Sequence, residues 1–447
     1  MFDIRFSGEY MQRIAITTLG CKINQFESAA MSETLERDGF LVVPFEEEAD
    51  IYVINTCTVT ARTDAESRRL IRRARRGRPE AKIVVTGCYA QLAFEQLREM
   101  PGVNLILGNA EKKGISELVK EIGDEPRVLV SDISLDRKAG GITLESFAEH
   151  TRAFLQVQNG CDAFCSYCIV PYARGRSRSV PMAEALDGVR AFAVKGFKEV
   201  VLTGIHLGGY GLDLTPPINL TDLLTAIEEE RLVPRLRLGS VEPTEISTPL
   251  VRLMSASDII CPHLHVPLQS GNDQVLGRMN RRYTTARFRE VMAELTESIP
   301  DICIGCDVIA GFPGETEGEF AESYRFIESL PVAYLHVFPF SSRQGTKAAA
   351  MPGHLPGGVV RKRAELLRGL SERKKDAYCR EFIGYELKVL VQESAGDGMV
   401  KGLSRNYIPV IFPGNETMIN TEIAVRITGT GKGRLRGESA NLASGFI

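Results

Sequence analysis

Nothing in the 447 residues approaches the run of about eighteen apolar residues that a membrane-spanning helix requires. The first twenty residues carry Asp3, Arg5, Glu9 and Arg13 without an apolar core. No secretory leader and no membrane partner are therefore expected, and the chain is expected to stay in the cytoplasm. A strong charge of one sign is missing too: the net charge is −3, which excludes a polyanion binder over the whole surface. With 44% apolar and 25% charged residues the composition is that of a globular chain, neither disordered nor fibrous. The length is too great for one core and predicts two or three domains. Met1 to Tyr10 precede a second methionine, Met11, that sits directly before a strand-like run; they are assigned no role.

What is present is local. Seven arginines and no lysine lie between Arg68 and Arg78, and a second basic stretch runs from Arg361 to Lys375. A charge run is ordinarily a solvated helix face, but guanidinium forks match phosphate geometry, so the arginine run is a candidate nucleic-acid contact. Ten cysteines in a reducing compartment do not make a disulfide framework, which leaves metal binding or catalysis as the first expectation.

The first 125 residues alternate β-branched runs (13–19, 50–56, 81–87 and 104–108) with helical patterns, predicting a mostly parallel sheet with crossover helices over 11–125. Asn24 and Glu27 read as a capping box, opening a helix that Gly39 closes. Cys21, Cys57 and Cys88 each follow directly on one of the first three runs. Strand carboxyl ends share one edge of such a sheet, so these three cysteines are expected to meet there as a ligand set. Residues 126–150, with weak periodicity and a Gly-Gly pair, read as a linker.

From 151 to 379 the alternation resumes with six strand candidates: 153–158, 199–204, 235–240, 263–269, 302–311 and 333–340. Six β/α units fall short of the eight of a closed barrel and predict a partial one, with its chemistry at the strand carboxyl ends. The last segment, 380–447, has alternating runs between Gly-rich turns, as in a small antiparallel barrel. Its eight basic and seven acidic residues are balanced; only the GKGRLRG patch near its end suggests RNA.

The sharpest motif is CDAFCSYC, Cys161, Cys165 and Cys168 at the spacing C-x3-C-x2-C. A structural zinc site recruits four ligands and a catalytic one three plus water. The compact triad follows a strand with no histidine near it in sequence. It suits one face of a four-iron cubane, whose fourth iron stays open for another molecule.

This motif, with the aromatic Tyr167 before its last cysteine, resembles the radical S-adenosylmethionine enzymes. The resemblance runs from about Ile14 to the end and narrows to the methylthiotransferases. TLGCKINQFES, VINTCTVT and VVTGCYAQ are similar to their N-terminal domain. CIVPYARGRSRS, VPLQSGNDQVLGRMNRRY and DVIAGFPGETE are similar to their radical domain, and the C-terminal barrel to a TRAM domain. The resemblance implies two 4Fe-4S clusters, the radical one on Cys161, Cys165 and Cys168 and a second on Cys21, Cys57 and Cys88. It implies S-adenosylmethionine chelated to the open iron and cleaved by one electron to methionine and a deoxyadenosyl radical. Implied partners are the anticodon stem-loop of a tRNA, a one-electron reductant protein of flavodoxin or ferredoxin type, and a sulfur source. Lys22, Ile23 and Asn24 resemble the branch acting on threonylcarbamoyladenosine more than those acting on isopentenyladenosine or on a ribosomal-protein aspartate.

Tyr167, Gly204, Ser240, Glu242, Gln269 and Asp307, polar or small residues at strand ends, are candidates for contact with S-adenosylmethionine. Arg174 and Arg176 are candidates for a cofactor carboxylate or an RNA phosphate. Cys303 and Cys306 fall on opposite faces of one strand, and with Cys261 and Cys379 they read as structural. His263 and His265 share a strand face, which leaves two rivals: a zinc-dependent barrel hydrolase and a non-catalytic, metal-containing RNA-binding protein.

Overall fold

The computed structural model describes residues 11–137, 139 and 151–439. Met1 to Tyr10 and most of the second half of the expected linker lie outside the described residues.

Six strands form the N-terminal sheet: β1 (Arg13–Thr18), β2 (Leu41–Val43), β3 (Ile51–Thr56), β4 (Lys82–Gly87), β5 (Val103–Leu107) and β6 (Arg127–Leu129). All are parallel, in the order β2-β1-β3-β4-β5-β6. Side chains alternate between two cores. Ile51 and Val53 meet Met31 and Leu35 of the helix Lys22–Arg37, whereas Tyr52 and Ile54 meet Leu70 and Ile71 of the helix Ala61–Gly77. Both faces are thus covered, which is why the central strands read as unbroken apolar runs. The sixth strand, Arg127–Leu129, lies inside the range expected as linker; its pairing with β5 continues the sheet.

The expected capping box is not formed. The helix begins at Lys22, with Cys21 in the capping position and no side-chain cap. Asn24 and Glu27 sit inside it, one turn apart, and turn inward to partners described below; that shared face accounts for their spacing as well as a cap would.

The central unit is a partial barrel. Its parallel strands are β7 (Arg152–Asn159), β9 (Glu199–Gly204), β10 (Arg235–Leu238), β11 (His263–His265), β12 (Cys303–Ala310) and β13 (Tyr334–Pro339); β8 (Arg178–Ser179) adds a short antiparallel edge on β7. Single bridges, Leu236 to Ile260 and Ser240 to His265, join the halves across β10 and β11. The helix Gly357–Arg380 packs along β13 and carries the second basic stretch. Much of that stretch is tied to the barrel: Arg363 is buried on Glu315 (2.7 Å), and Lys374 donates to the carbonyls of Glu328 and Leu330.

β14 (Glu386–Gly396), β15 (Met399–Ser404), β16 (Pro409–Pro413), β17 (Glu422–Gly431) and β18 (Arg434–Ser439) close a five-stranded barrel in the order β14-β15-β16-β18-β17. Four of its pairings are antiparallel and β16–β18 is parallel. It docks through a buried ion network. Glu199 of β9 accepts from Arg235 and Arg237 at 2.8 Å, and Arg235 continues to Glu422 and the carbonyl of Leu403. Among the described residues no helix is long and apolar enough to cross a membrane.

Candidate active site

The chain reverses direction across the N-terminal sheet between β1 and β3, the place where open parallel sheets bind ligands. Cys21 lies just beyond β1, Cys57 directly follows β3 and Cys88 directly follows β4. Cys57 and Cys88 are buried and Cys21 is exposed. Asn24 ties the first two loops together by donating to the carbonyls of Leu19 (2.7 Å) and Thr56 (3.0 Å). Gly20 has φ +104°, and a Cβ there would stand 2.8 Å from the Cys57 sulfur, so only glycine leaves that sulfur clear.

Arg174 reaches this edge from the barrel. It lies in the turn after the second cysteine motif, is 1% exposed, and donates from Nε to the Cys88 Sγ at 3.1 Å. Its other nitrogens bond Glu27 (3.0 Å for the Nη2–Oε2 pair) and Asn24. Buried Lys112 donates to the same Glu27 at 2.7 Å. Arg174 is therefore neither a cofactor-carboxylate contact nor a phosphate contact. Arg176 is exposed at the rim, where it pairs with Asp162 at 3.1 Å and covers the Phe164 ring.

The second triad occupies the loop after β7. Gly160 opens it with φ +72°, where a Cβ would collide with the carbonyl oxygen of Arg176 at 1.8 Å. The loop is fastened by Ser166, whose N–H donates to the Met279 carbonyl and whose hydroxyl donates to that of Arg278. Arg281 donates to the Cys165 sulfur at 3.1 Å while Glu242 holds its other end. His206 pairs with Glu245 at 2.6 Å, and Cys161 is the other group that favours its charge. Burial works against its charge, but these two partners outweigh burial and raise the imidazole to about 10. Burial and neighbouring thiols push Cys168 up to about 12 and Cys57 to about 11. Such thiols are inert until a metal displaces their protons.

Each donor set is three cysteine thiols, the ligand type of an iron–sulfur centre, and neither is drawn in around a single zinc ion. One tetrahedral zinc ion would hold its sulfurs about 3.8 Å apart, from Zn–S bonds of about 2.3 Å. Among the described residues, the one group of three potential ligands lying within 4.8 Å of one another is His265, Asp307 and His336. In neither triad do all three sulfurs lie within 4.8 Å of one another. His263 does not join the histidine group: it is buried, bonds the Tyr334 hydroxyl at 3.0 Å and stacks on Tyr407 of the C-terminal barrel. Cys261, Cys303, Cys306 and Cys379 are all buried.

A cavity of about 210 Å³ lies between the two cysteine loops. Its wall includes Val59 and Thr60, just after Cys57, and Tyr167, just before Cys168; Gln269, Asp307 and Phe338 complete it. Three of the six expected cofactor contacts, Tyr167, Gln269 and Asp307, thus share one space. Gln269 adopts φ +65°, a conformation costly for a side chain other than glycine, where the bridge to β12 holds it. Asp307 accepts from His265 at 2.8 Å, with His336 beside it. Gly204, Ser240 and Glu242 are outside that wall: Gly204 packs against Gln158 at the root of the Cys161 loop, Ser240 bridges to β11, and Glu242 acts through Arg281.

Sequence reasoning missed Arg281, His206 with Glu245, and Arg343, which crosses from the barrel to Asp64 (2.5 Å) and Thr58 (2.6 Å) beside the cavity. None carries a local signal; VPLQSGNDQVLGRMNRRY, which contains Arg281, was the nearest hint. The arginine run lies on the helix Ala61–Gly77. Arg68 bonds the Tyr89 hydroxyl, Arg69 pairs with Glu66 and Arg78 with Asp50, whereas Arg72 and Arg76 face solvent.

Two family models match the chain: one described as Uncharacterized protein family UPF0004 over residues 13–108, and one described as Radical SAM superfamily over 155–327. The Threonylcarbamoyladenosine tRNA methylthiotransferase MtaB of Bacillus subtilis is 38% identical over 428 residues, covering 94% of this chain and 95% of its own. Its namesake in Aquifex aeolicus is 38% identical over 89% and 96% of the two chains. The tRNA-2-methylthio-N(6)-dimethylallyladenosine synthase of Moorella thermoacetica is 32% identical over 95% and 97%. Among solved structures, the radical S-adenosylmethionine methyltransferase TsrM of Kitasatospora setae superposes with a TM-score of 0.52 at 16% identity, covering 76% of this chain and 77% of that one. That likeness concerns the fold alone. Two cysteine triads, each at the strand ends of its own α/β unit, and relatives matched along nearly their whole length lead to one assignment: the chain belongs to the radical S-adenosylmethionine methylthiotransferase family.

Proposed function

We propose that the chain methylthiolates an adenosine of tRNA beside the anticodon, and that its substrate is threonylcarbamoyladenosine, modified at carbon two. The observation that carries this reading is the cavity whose wall joins Val59 and Thr60, just after Cys57, to Tyr167, just before Cys168. When bound, the cofactors supply a carbon-centred radical able to take an adenine C–H hydrogen, and the sulfur and methyl group that replace it.

The rest is the work of this chain's residues. Cys161, Cys165 and Cys168 would hold the radical cluster, and Cys21, Cys57 and Cys88 the second. Arg281, fixed by Glu242, hydrogen-bonds one radical-cluster thiolate and orients it. Tyr167, Gln269 and Asp307 meet the cofactor and base in the cavity, and Val59, Ile309 and Phe340 keep water from it. Phe338, 41% exposed on the cavity wall, offers a face on which a splayed anticodon-loop base can stack. Arg72 and Arg76 on one domain and Arg434 and Arg436 on the outer face of β18 are exposed cations suited to phosphate. An external one-electron reductant and a sulfur source complete the requirements.

The choice of threonylcarbamoyladenosine is supported by Lys22, Ile23 and Asn24 and by the names of the more similar relatives. Mass spectrometry of tRNA nucleosides from cells with and without the gene tests it. The expected result is loss of the methylthio form with accumulation of threonylcarbamoyladenosine. Loss of methylthio-isopentenyladenosine instead would move the chain to the other tRNA branch, and unchanged nucleosides would point to the ribosomal-protein branch.

A further inference from the structure

Two basic side chains behind Cys88 share a single carboxylate. Glu27, Lys112 and Arg174 have side chains 3%, 0% and 1% exposed, so the site is sealed from water. It holds the Arg174 guanidinium, the Lys112 amine and one carboxylate; burial pulls Lys112 below the usual lysine range, and Glu27 opposes that pull. Glu27 is kept ionised, down at about 2: burial opposes this, and Arg174 and Lys112 override it. The groups acting most strongly on Arg174 are Cys88, Glu27 and Cys21, with no second carboxylate among them. A buried charge needs a partner, and the Arg174 guanidinium, which shares Glu27 with Lys112, is here aimed at a sulfur atom.

That guanidinium comes from an informative place. Arg174 ends the short helix Val170–Arg174, which begins two residues after Cys168. Its backbone is locked as well: the Ala173 carbonyl accepts from Asn109 of the N-terminal unit at 2.7 Å. The turn that leaves the radical-cluster cysteines therefore ends on a ligand of the other triad.

We propose that Arg174 is the counter-ion and hydrogen-bond donor of the second cluster, a positioning residue that sets its reduction potential from the radical domain. This rests on the assignment of Cys21, Cys57 and Cys88 to a cluster. One-electron reduction adds one negative charge to that cluster with no bond made or broken, the electron coming from an external donor. A fixed guanidinium on a ligand sulfur stabilises the reduced form and raises the potential. Glu27, which offsets part of that charge, lowers it.

The test is a dithionite titration followed by electron paramagnetic resonance, on full-length protein carrying Cys161→Ala, Cys165→Ala and Cys168→Ala so that only the second cluster is observed. Arg174→Gln is expected to shift the reduction equilibrium at least tenfold toward the oxidised form, about 59 mV more negative for one electron. Glu27→Gln is expected to shift it the opposite way, and Arg174→Lys, which keeps the charge, to restore most of the parent value. Iron content is measured on every sample. Parent protein without a second cluster would overturn the ligand assignment itself. Intact clusters whose potential moves in neither variant, or moves the same way in both, would overturn the role of Arg174 alone. If Arg174→Gln takes up no iron, Glu27→Gln decides: a potential that fails to rise in it would overturn the role of Arg174.

Discussion

Arg343 gives the most direct test of how the two halves of the site are held in register. It projects from the segment after β13 and bonds Thr58 and Asp64, whose carboxylate also takes the Thr58 hydroxyl at 2.7 Å. Thr58 is the residue after Cys57, and Val59 and Thr60 wall the cavity. The Arg343 and Asp64 side chains are each 12% exposed. A charged hydrogen bond of this kind is worth about 1.5–3 kcal/mol, and its loss leaves Asp64 with a hydroxyl partner only. Arg343→Met should therefore loosen the seam by about 2–3 kcal/mol without touching the Cys161 loop. Misplacement of reacting groups by about 1 Å costs roughly a hundredfold in rate. The assay measures 5′-deoxyadenosine and methylthiolated nucleoside in the same reaction. Cofactor cleavage should persist while product per cleavage falls about ten- to a hundredfold. Asp64→Asn, which keeps the shape and one hydrogen bond, should fall between. An Arg343→Met protein with full iron content and an unchanged ratio would refute the argument.

Cys161→Ala should abolish S-adenosylmethionine cleavage, whereas Cys57→Ala should impair sulfur insertion and leave some cleavage; full methylthio product from the latter would remove the second cluster from the reaction. Glu199→Gln should destabilise the chain by about 3–5 kcal/mol, since it takes the carboxylate from buried Arg237 and leaves Arg235 on Glu422. Burial raises the Glu199 pKa, but Arg237, Arg235 and Arg152 outweigh it and hold the carboxyl below the usual range. Its contribution is thus complete above the unfolded value of about 4.3 and is lost as pH falls toward the lower folded value. Thermal melts of both proteins should converge on acidification below about pH 4, and a gap that widens there contradicts the assignment. Replacing Arg72 and Arg76 by Ala should weaken tRNA binding and flatten the slope of log affinity against log salt by roughly 0.7–0.9 for each phosphate no longer neutralised. An unchanged slope would place the tRNA elsewhere.

The legible parts of the molecule are those whose signal is local. Strands buried on both faces, such as Ile51–Thr56, announce themselves as apolar runs, and the C-x3-C-x2-C triad is a contiguous motif. The three-residue strands β2 and β6 carry too little pattern to be seen, and β15 and β18 are broken by glycines and outward-facing charges. The spacing of Asn24 and Glu27 fits a capping box and an inward helix face equally. Only the arrival of Arg174, 147 residues beyond Glu27, decides between them. For the same reason Arg174 itself looked like one more arginine for phosphate: its partners Cys88 and Glu27 lie on a different domain.

Every loop of the N-terminal triad is fixed by an arginine of the barrel. Arg343 holds the Cys57 loop through Thr58, and Arg174 holds Cys88 directly and the Cys21 loop through Asn24. These guanidiniums are rigid, always charged and nearly sealed from water, so their geometry is imposed rather than averaged. The spacing of the two thiolate sites is consequently a property of the docked domains and of neither alone. A cavity walled by both loops keeps its shape only while those bonds stand. Substitutions far in sequence from either triad should then uncouple sulfur insertion from radical generation, whereas substitutions that loosen only the C-terminal barrel should weaken tRNA capture and leave that coupling intact.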